Sequence, residues 1–375
     1  MAIQCFEFDA GLSAAFAAFR EDLYRKDSNW IPTTRSDFLS QFVPEFPFYR
    51  KPGNRHLHFI ATANSKIIGH VSALVNRDLK DRDGSPVGSL GFFESVDDYP
   101  AASDLLGHAT EWLRRENDIH RIWAPVNFDI WHGYRLMTRG FAEKTFYGEP
   151  YNKNYYPEFF TRFGFSAKKT WDSLEMEGRG TLDNMIARFE PRYRKLLDEG
   201  YRFHSIDLFQ ASDLRQLYTV LIHSYQGLLG TTPFEYDDFD RLLGQYLRTF
   251  EARFVNLVYD PTGNVVAFSV AYPDYSDALR AAGGKPNQSG KPRARFQPSA
   301  ADRVIFYMIG ATPEEVARRH GLGSATYYHT VQQILSAGFQ AVLFAIIADD
   351  SGGRSLLGAG MRVAQRTYAL YELNR

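Results

Sequence analysis

The sequence has a single cysteine, Cys5, in 375 residues, which excludes an intramolecular disulfide and leaves nothing that marks an oxidising compartment. Long apolar runs are missing as well. No stretch approaches the roughly 20 apolar residues of a membrane span, and the opening "MAIQCFEFDAGL" lacks the basic region and apolar run of a secretory leader. A cytoplasmic protein without a membrane partner is expected. Net charge is scarce: 43 Lys and Arg against 44 Asp and Glu leave −1, so no global field draws in DNA, RNA or an anionic surface, and small or neutral partners are expected. The ten histidines are scattered, with no HExxH and no His/Cys cluster at ligand spacing, so no metal is expected. A Gly-x-Ser-x-Gly elbow is absent and Cys5 has no nearby partner, so a covalent nucleophile lacks a candidate.

What is plentiful is apolar and aromatic side chains, 44% and 15% of the chain, enough for substantial cores in two or three domains. The 30 Phe and 22 Tyr fit mainly core packing, with an aromatic-lined cleft as a further use. Periodicity divides the chain into two halves that repeat one order of elements: helix, hairpin, strand, helix, strand. The first half reads as a helix over "LSAAFAAFREDLY", strands in "HLHFIATANSKIIGHVSALVN" and "PVGSLGFFESV", a helix over "ASDLLGHATEWLRREN" and a strand at "RIWAPVNFD". In the second half a helix over "ASDLRQLYTVLIHSY", capped by Ser212 or Asp213, precedes a shorter helix over "DDFDRLLGQYL". A hairpin turns at Asp260-Pro261-Thr262-Gly263-Asn264, and "RVIFYMIGA" and "AVLFAII" are strands. Between the halves "LDNMIARFEPRYRKLLDEG" reads as a helical connector broken near Pro191 and ended by Gly200. Its basic start is either a solvated helix face or an RNA contact, and the near-zero net charge argues against the second. Ser276 to Asp302, rich in Gly, Pro, Lys and Arg, reads as an inserted surface loop or a lid.

One stretch departs from good helix chemistry. "RRHGLGSATYYHTVQQIL", from Arg318, places Gly321 and Gly323 at the opening of an amphipathic helix whose apolar face runs Ala325, Tyr328, Val331, Ile334, Leu335. A helix N-terminus offers unpaired N–H groups and positive dipole, and glycine lets an anion approach them. The amides from Arg319 to Ala325 could close around a diphosphate, with Arg318 and Arg319 as charged donors. The glycines alone also fit a close helix–strand crossing. A nucleotide P-loop is a poor match, because Ser324 and Ala325 follow Gly323, and so is a dinucleotide fingerprint, because Thr326 stands where its third small residue belongs.

Arg318-x-x-Gly321-x-Gly323, with the strand Val304 to Gly310 before it, the long helix and "AVLFAII" after it, and a late helix ending at Gly360-Met361 before "AQRTYALYEL", resembles the pyrophosphate motif and element order of the GNAT superfamily of acyl-CoA-dependent N-acyltransferases. The first half is similar to a second GNAT unit that has lost the motif, with only "DDYPA" between strand and helix, while "NYYPEFFTRFGF" keeps the late helix and its Gly-Phe ending. The whole chain resembles uncharacterised bacterial tandem GNAT proteins through "FPFYRKP", "GFFES" and "YNKNYYPEFFTRFGF", and more distantly the mycothiol synthase-like and Fem-type two-unit transferases. The resemblance implies an α/β (α+β) fold of two tandem units, each a mixed, mostly antiparallel twisted sheet flanked by helices: a degenerate unit over residues 1–177, a connector over 178–200 and a cofactor-binding unit over 201–375.

For chemistry, the resemblance implies direct attack of an amine on an acyl-CoA thioester, with acetyl-CoA or another acyl-CoA as cosubstrate and a small-molecule amine as acceptor. Its cofactor site would comprise Met308, Ile309, Gly310 and Ala311 on the central strand and Arg318, Arg319, His320, Gly321, Leu322, Gly323, Ser324 and Ala325 in the loop. The tyrosine that often serves as acid in the family falls at Leu356 here. Ser355 is a weak substitute, and Tyr307 either reaches the cleft or belongs to the core. Glu94, ending the first half's central strand, stands where GNAT proteins often carry a catalytic glutamate, or it lines an acceptor pocket between the halves. Asp349 and Asp350 are either bases or helix caps. Tyr225 and the following "QGLLGTTPF" loop fall in the region that contacts the acceptor. Two readings stand beside the leading one: an aminoacyl-tRNA-dependent Fem-type transferase, and a non-catalytic acyl-CoA-binding module. Two units in one chain can imitate a dimer, so a monomer is expected.

Overall fold

Runs rich in β-branched and aromatic residues form thirteen strands of one mixed sheet in a computed structural model of the protein. The residues described are 1–249, 254–284, 303–357 and 366–374. In chain order the strands are β1 (Ala2–Phe6), β2 (Arg55–Ala63), β3 (Lys66–Lys80), β4 (Pro86–Ser95), β5 (Arg121–Ala124), β6 (Leu136–Arg139), β7 (Ser166–Glu177), β8 (Arg202–Ser205), β9 (Phe254–Tyr259), β10 (Val265–Pro273), β11 (Arg303–Ala311), β12 (Ala341–Ala348) and β13 (Arg366–Asn374). Across the sheet they run β1-β2-β3-β4-β5-β13-β7-β12-β11-β10-β9-β8, with β6 paired to β13. Only β4·β5 and β11·β12 are parallel.

The expected repeat is present. Each half supplies an edge strand, a helix, an antiparallel hairpin, a central strand, a long helix and a strand parallel to the central one. The hairpin at Asp260 forms as its residues require: Gly263 has φ +91°, and the Asp260 carboxylate accepts from the N–H groups of Thr262 and Asn264 at 2.9 Å. The connector comprises two helices, Arg179–Ala187 and Glu190–Asp198, with Pro191 in the first turn of the second and Gly200 at φ +92°.

Several boundaries differ from expectation for local reasons. The first-half long helix starts at Tyr99, because Asp98 caps it and Pro100 suits its first turn. The helix over Ala211–Tyr225 has no side-chain cap; Asp213 instead accepts from the Asp207 N–H at 2.9 Å. Ser276 opens a short helix, Ser276–Ala281, whose Leu279 is buried, so the expected loop starts later; residues 285–302 lie outside the described set. On the glycine-led helix, Tyr327 is buried and Tyr328 only half-buried.

The largest departure is at the ends of the halves. The last strand of each half completes the sheet of the other: β7 pairs with β12, β13 pairs with β5, and β7 and β13 pair with each other from Ser173↔Arg366 to Ser166↔Glu372. Charged side chains fix the exchanged strand. Glu372 accepts from Trp123 Nε1 at 2.8 Å and from Lys168 at 2.7 Å, and buried Arg366 pairs with buried Glu149 at 3.2 Å. Burial pushes the Glu149 carboxyl up to about 7 against the pull of Arg366. The sheet therefore does not divide at the connector.

Packing on the first-half sheet is dominated by rings. Phe16, Phe38, Phe42, Phe46, Phe48, Phe92 and Phe128 form one buried cluster, which encloses His58 and His70, both fully buried. Phe16 stacks on His70 with ring centroids 3.6 Å apart. His70 Nδ1 lies 2.8 Å from the Phe92 carbonyl, while its Nε2 has no partner. Burial depresses this imidazole to about 3 from 6.5.

Two outcomes follow from this packing. Truncation after Gln365 removes β13 and leaves the first half's own residues intact, yet it should abolish cooperative unfolding of the whole chain; a sharp urea transition in the truncated protein would contradict the exchange. Because the unfolded chain takes up a proton near pH 6.5 that the folded state refuses until about 3, His70 supports stability above pH 6.5 and withdraws that support as pH falls. The loss should be about 2 kcal/mol between pH 6.5 and 5, and His70→Phe should flatten it in urea titrations across that range.

Candidate functional site

β11 and β12 pair over only four positions, Arg303↔Ala341 to Phe306↔Phe344, and then part. The register of β11 on β10 skips at the same point, from Ala271↔Phe306 to Val270↔Met308, which leaves Tyr307 as the extra residue of a β-bulge. On β12, Ile346 takes φ +55° and its N–H turns to Ser173 Oγ at 3.0 Å. Beyond Phe306, β11 pairs with β10 alone among the described residues, and Tyr307, Met308, Ile309, Gly310 and Ala311 are half-exposed near the middle of a wide sheet. Gly310 is required by the helix above it, since a Cβ there would lie 2.6 Å from the Phe268 ring and 3.0 Å from Ser224.

The glycine loop follows β11 through a short helix, Pro313–Arg318, and opens the 15-residue helix Leu322–Ser336. Arg319 and Gly321 both have left-handed backbone, at φ +51° and +83°. Gly321 is doubly constrained, because a Cβ would also lie 3.0 Å from the Arg192 side chain, which crosses from the connector and donates to the His320 carbonyl at 3.0 Å. Gly323 faces open space, with nothing within 4 Å of where its Cβ would be. Leu322 and Ala325 are buried, the Ala325 N–H donates to the Gly321 carbonyl at 3.1 Å and the Arg319 N–H to the Val316 carbonyl at 3.2 Å, so the amides at both ends of the expected cradle are already paired. Ser324 Oγ donates to the Gly321 carbonyl at 2.7 Å.

Arg318 is not a free donor. It pairs with Glu315 at 2.6 Å, and His320 Nε2 lies 2.6 Å from the other Glu315 oxygen. Tyr201 donates to the same carboxylate at 3.2 Å. Glu315 is 4% exposed, so a buried carboxylate ties down Arg318 and His320. The i, i+3 spacing of Glu315 and Arg318 in "TPEEVARRH" was the available signal.

In the first half the matching opening is closed by the chain itself. β4 and β5 pair only at Gly88↔Ile122 and Ser89↔Trp123. The Val126 N–H donates to the Leu90 carbonyl at 2.9 Å, and the Phe92 N–H donates to Asn127 Oδ1 at 2.7 Å. A Cβ on Gly91 would lie 2.6 Å from the Val126 carbonyl oxygen. Glu94, at the end of β4, is 8% exposed. It accepts from Tyr24 at 2.9 Å and Tyr156 at 2.8 Å, and pairs with Arg20 at 3.2 Å. Burial raises its pKa against the Arg20 charge. It anchors the first helix and the late helix to β4 and does not meet Tyr307 or the loop.

Tyr307 and Tyr225 do come together. Both belong to one apolar cluster with Trp131, Met308 and Ile346, and Trp131 stands 5.4 Å from the Tyr225 ring. Burial raises both phenols, opposed by the nearby charge of Arg135. Tyr134, Trp171, Leu229, Ile346 and Ala348 pack in the adjoining cluster. Next to it a cleft of about 570 Å³ is lined by Asp81, Arg82, Lys168, Lys169, Leu229, Asp349 and Asp350. Asp349 accepts from Thr170 at 2.6 Å and Asp350 pairs with Lys169 at 2.8 Å, so both are tied to β7. Ser355 falls in the short helix Gly352–Leu357, and its side chain, like Gly360-Met361, lies outside the described set. Among the described residues no group of three or more His, Cys, Asp or Glu could hold a metal ion, and no helix is long and apolar enough to cross a membrane.

The two splayed parallel pairs, the bulged central strands and the glycine-led helix define a class. A tandem GNAT protein from the clavulanic acid biosynthesis pathway superposes with a TM-score of 0.52 at 12% identity, covering 100% of this chain and 98% of that one. A GCN5-related N-acetyltransferase from Anabaena variabilis gives 0.52 at 10% identity over 98% and 72%. A GCN5-related glucosamine N-acetyltransferase region of a fungal multi-domain GH3 β-N-acetylglucosaminidase gives 0.52 at 14% identity over 99% of this chain and 38% of that one. The protein has the tandem GNAT fold. Among curated sequences, Protein YghO of Escherichia coli strain K12 is 24% identical over 275 residues, 71% of this chain and 66% of that protein, so the match spans just under two thirds of the relative. No family model matches the sequence.

Glu94→Gln tests the anchoring role of the carboxylate. Removing the charge beside Arg20 should cost about 3–5 kcal/mol of stability, read as a lowered midpoint of urea unfolding. An unaltered midpoint would contradict the anchoring role.

Proposed function

We propose that the protein is an acyl-CoA-dependent N-acyltransferase whose second half binds the cosubstrate and whose acceptor is a small amine. The carrying observation is the contrast between the two splays: the first is filled by Val126 and Asn127, whereas the second leaves the β11 backbone from Tyr307 to Ala311 unpaired toward β12. Unpaired backbone groups in the middle of a sheet call for a polar partner, and an extended amide-containing arm such as pantetheine has the donors and acceptors to supply it. At the end of that strand the loop offers N–H groups, helix dipole and the open side of Gly323 to a diphosphate.

Acyl-CoA supplies an activated thioester; the amine nitrogen bonds to its carbonyl carbon as the carbon–sulfur bond breaks. The chain's part is to hold the arm along Met308–Ala311, bind the diphosphate at Gly321–Ala325 and place the amine near Tyr307. Main-chain N–H groups of the splay would stabilise charge on the carbonyl oxygen. Tyr307, with its phenol raised by burial, is protonated at neutral pH and can give its proton to the departing thiolate while taking up the proton that the acylated nitrogen loses. Acetyl-CoA is the acyl donor we favour.

Calorimetric titration of acetyl-CoA and free CoA into wild type and Gly323→Glu tests the reading. Micromolar binding is expected for wild type and none for the variant, which sets a carboxylate in the phosphate path without a packing clash; Gly323→Ala serves as the folding control. A wild type that binds neither ligand overturns it.

A further inference from the structure

Arg135 is a cation without an anion. It follows Tyr134 in a first-half loop with φ +83°, a backbone strained for any residue but glycine. Its N–H donates to the Pro125 carbonyl at 3.3 Å. The guanidinium lies 4.0 Å from the Tyr134 ring centroid and 4.5 Å from that of Trp171, and Nη2 donates to the Tyr134 hydroxyl. Its Nε is buried with no hydrogen-bond partner, and among the described residues no carboxylate pairs with it. Three other buried or half-buried arginines near the sheet have acidic partners: Arg20 has Glu94, Arg303 has Asp274 and Glu175, and Arg366 has Glu149.

Aromatic faces fix the plane of a guanidinium and soften its desolvation, but they do not supply an acceptor for its N–H groups. A half-buried charge with a dry, unmatched Nε is costly unless something pairs with it. Arg135 stands between the two candidate acceptor elements. Trp171 lies opposite Ala348 at the end of β12, and the Arg135 charge is felt at the hydroxyls of Tyr225 and Tyr307. A planar, oriented fork in that position suits a carboxylate or phosphate.

We propose that the acceptor is an amine that also carries an oxyanion, and that Arg135 binds this oxyanion and so sets acceptor specificity. The inference rests on the acyltransferase reading for the word acceptor, but the anion site stands on the arginine's own surroundings. Amino acids present a carboxylate beside an amine; aminoalkyl phosphates present a phosphate. Both would hold the amine at a fixed distance from the arginine while the thioester approaches from the β11 side.

The test uses the full chain, wild type and Arg135→Gln, with Arg135→Lys as a charge-preserving control and near-UV circular dichroism to confirm folding. Probes are the standard amino acids, each against its carboxamide, and phosphoethanolamine against ethanolamine, followed by tryptophan fluorescence and calorimetry with and without free CoA. At least one anionic probe should bind roughly 10- to 100-fold more tightly than its neutral partner. That preference should vanish in Arg135→Gln, and CoA affinity should be unchanged. The winning series tells carboxylate from phosphate. Equal binding of every charged and neutral pair, or a preference that survives in Arg135→Gln, overturns the proposal. Anion selectivity in a protein that binds no CoA would leave the Arg135 site standing and overturn the acyl-CoA reading; CoA binding without anion selectivity would do the reverse.

Discussion

A parallel strand pair that separates inside a sheet leaves peptide groups with no partner, and a folded chain cannot leave such groups both buried and unpaired. This protein meets that constraint twice and answers it differently. In the first half the chain turns back on itself, and Val126 and Asn127 supply the missing donor and acceptor to β4. In the second half the bulge at Tyr307 and the turned N–H of Ile346 hold the gap open. One unit is self-satisfied at its splay. In the other, among the described residues, the β11 backbone beyond Phe306 has no strand partner on the β12 side.

The two halves are not independent, because the strand exchange carries side chains of the first into the surroundings of the second half's splay. Trp171 belongs to β7, yet through β12 it stands at the mouth of the second splay. Tyr134 and Arg135, from the loop before β6, pack against that tryptophan. The surroundings of the second splay are thus assembled from both halves, with the glycine loop from one and an aromatic-lined wall from the other. The connector adds Arg192 over Gly321.

Much of this was legible in the sequence, where the physics is local. The Asp-Pro-Thr-Gly-Asn hairpin, the connector broken at Pro191, the central strands and the glycine-led helix all follow from turn chemistry and periodicity. β1 and β8 escaped notice because they are short and mostly exposed, with little pattern to read. The exchange of β7 and β13 was invisible for a different reason: alternation of apolar residues says that a segment is a strand, not which strand lies beside it. The placement of the glycine loop after β11 followed from the sequence, whereas the three partners of Glu94 come from distant segments and left no local signal. Arg135 has no local signature; its strained backbone and its rings appear only when β7 and the loop before β6 are brought together.

Trp123 and Glu372 are bonded across 249 positions of sequence, and β13 leaves the ribosome after every other strand of the sheet. Until then β5 presents a bare edge and β7 has nothing on one side. The nascent first half therefore keeps sheet edges open throughout synthesis of the second, the kind of edge that pairs readily with another extended chain.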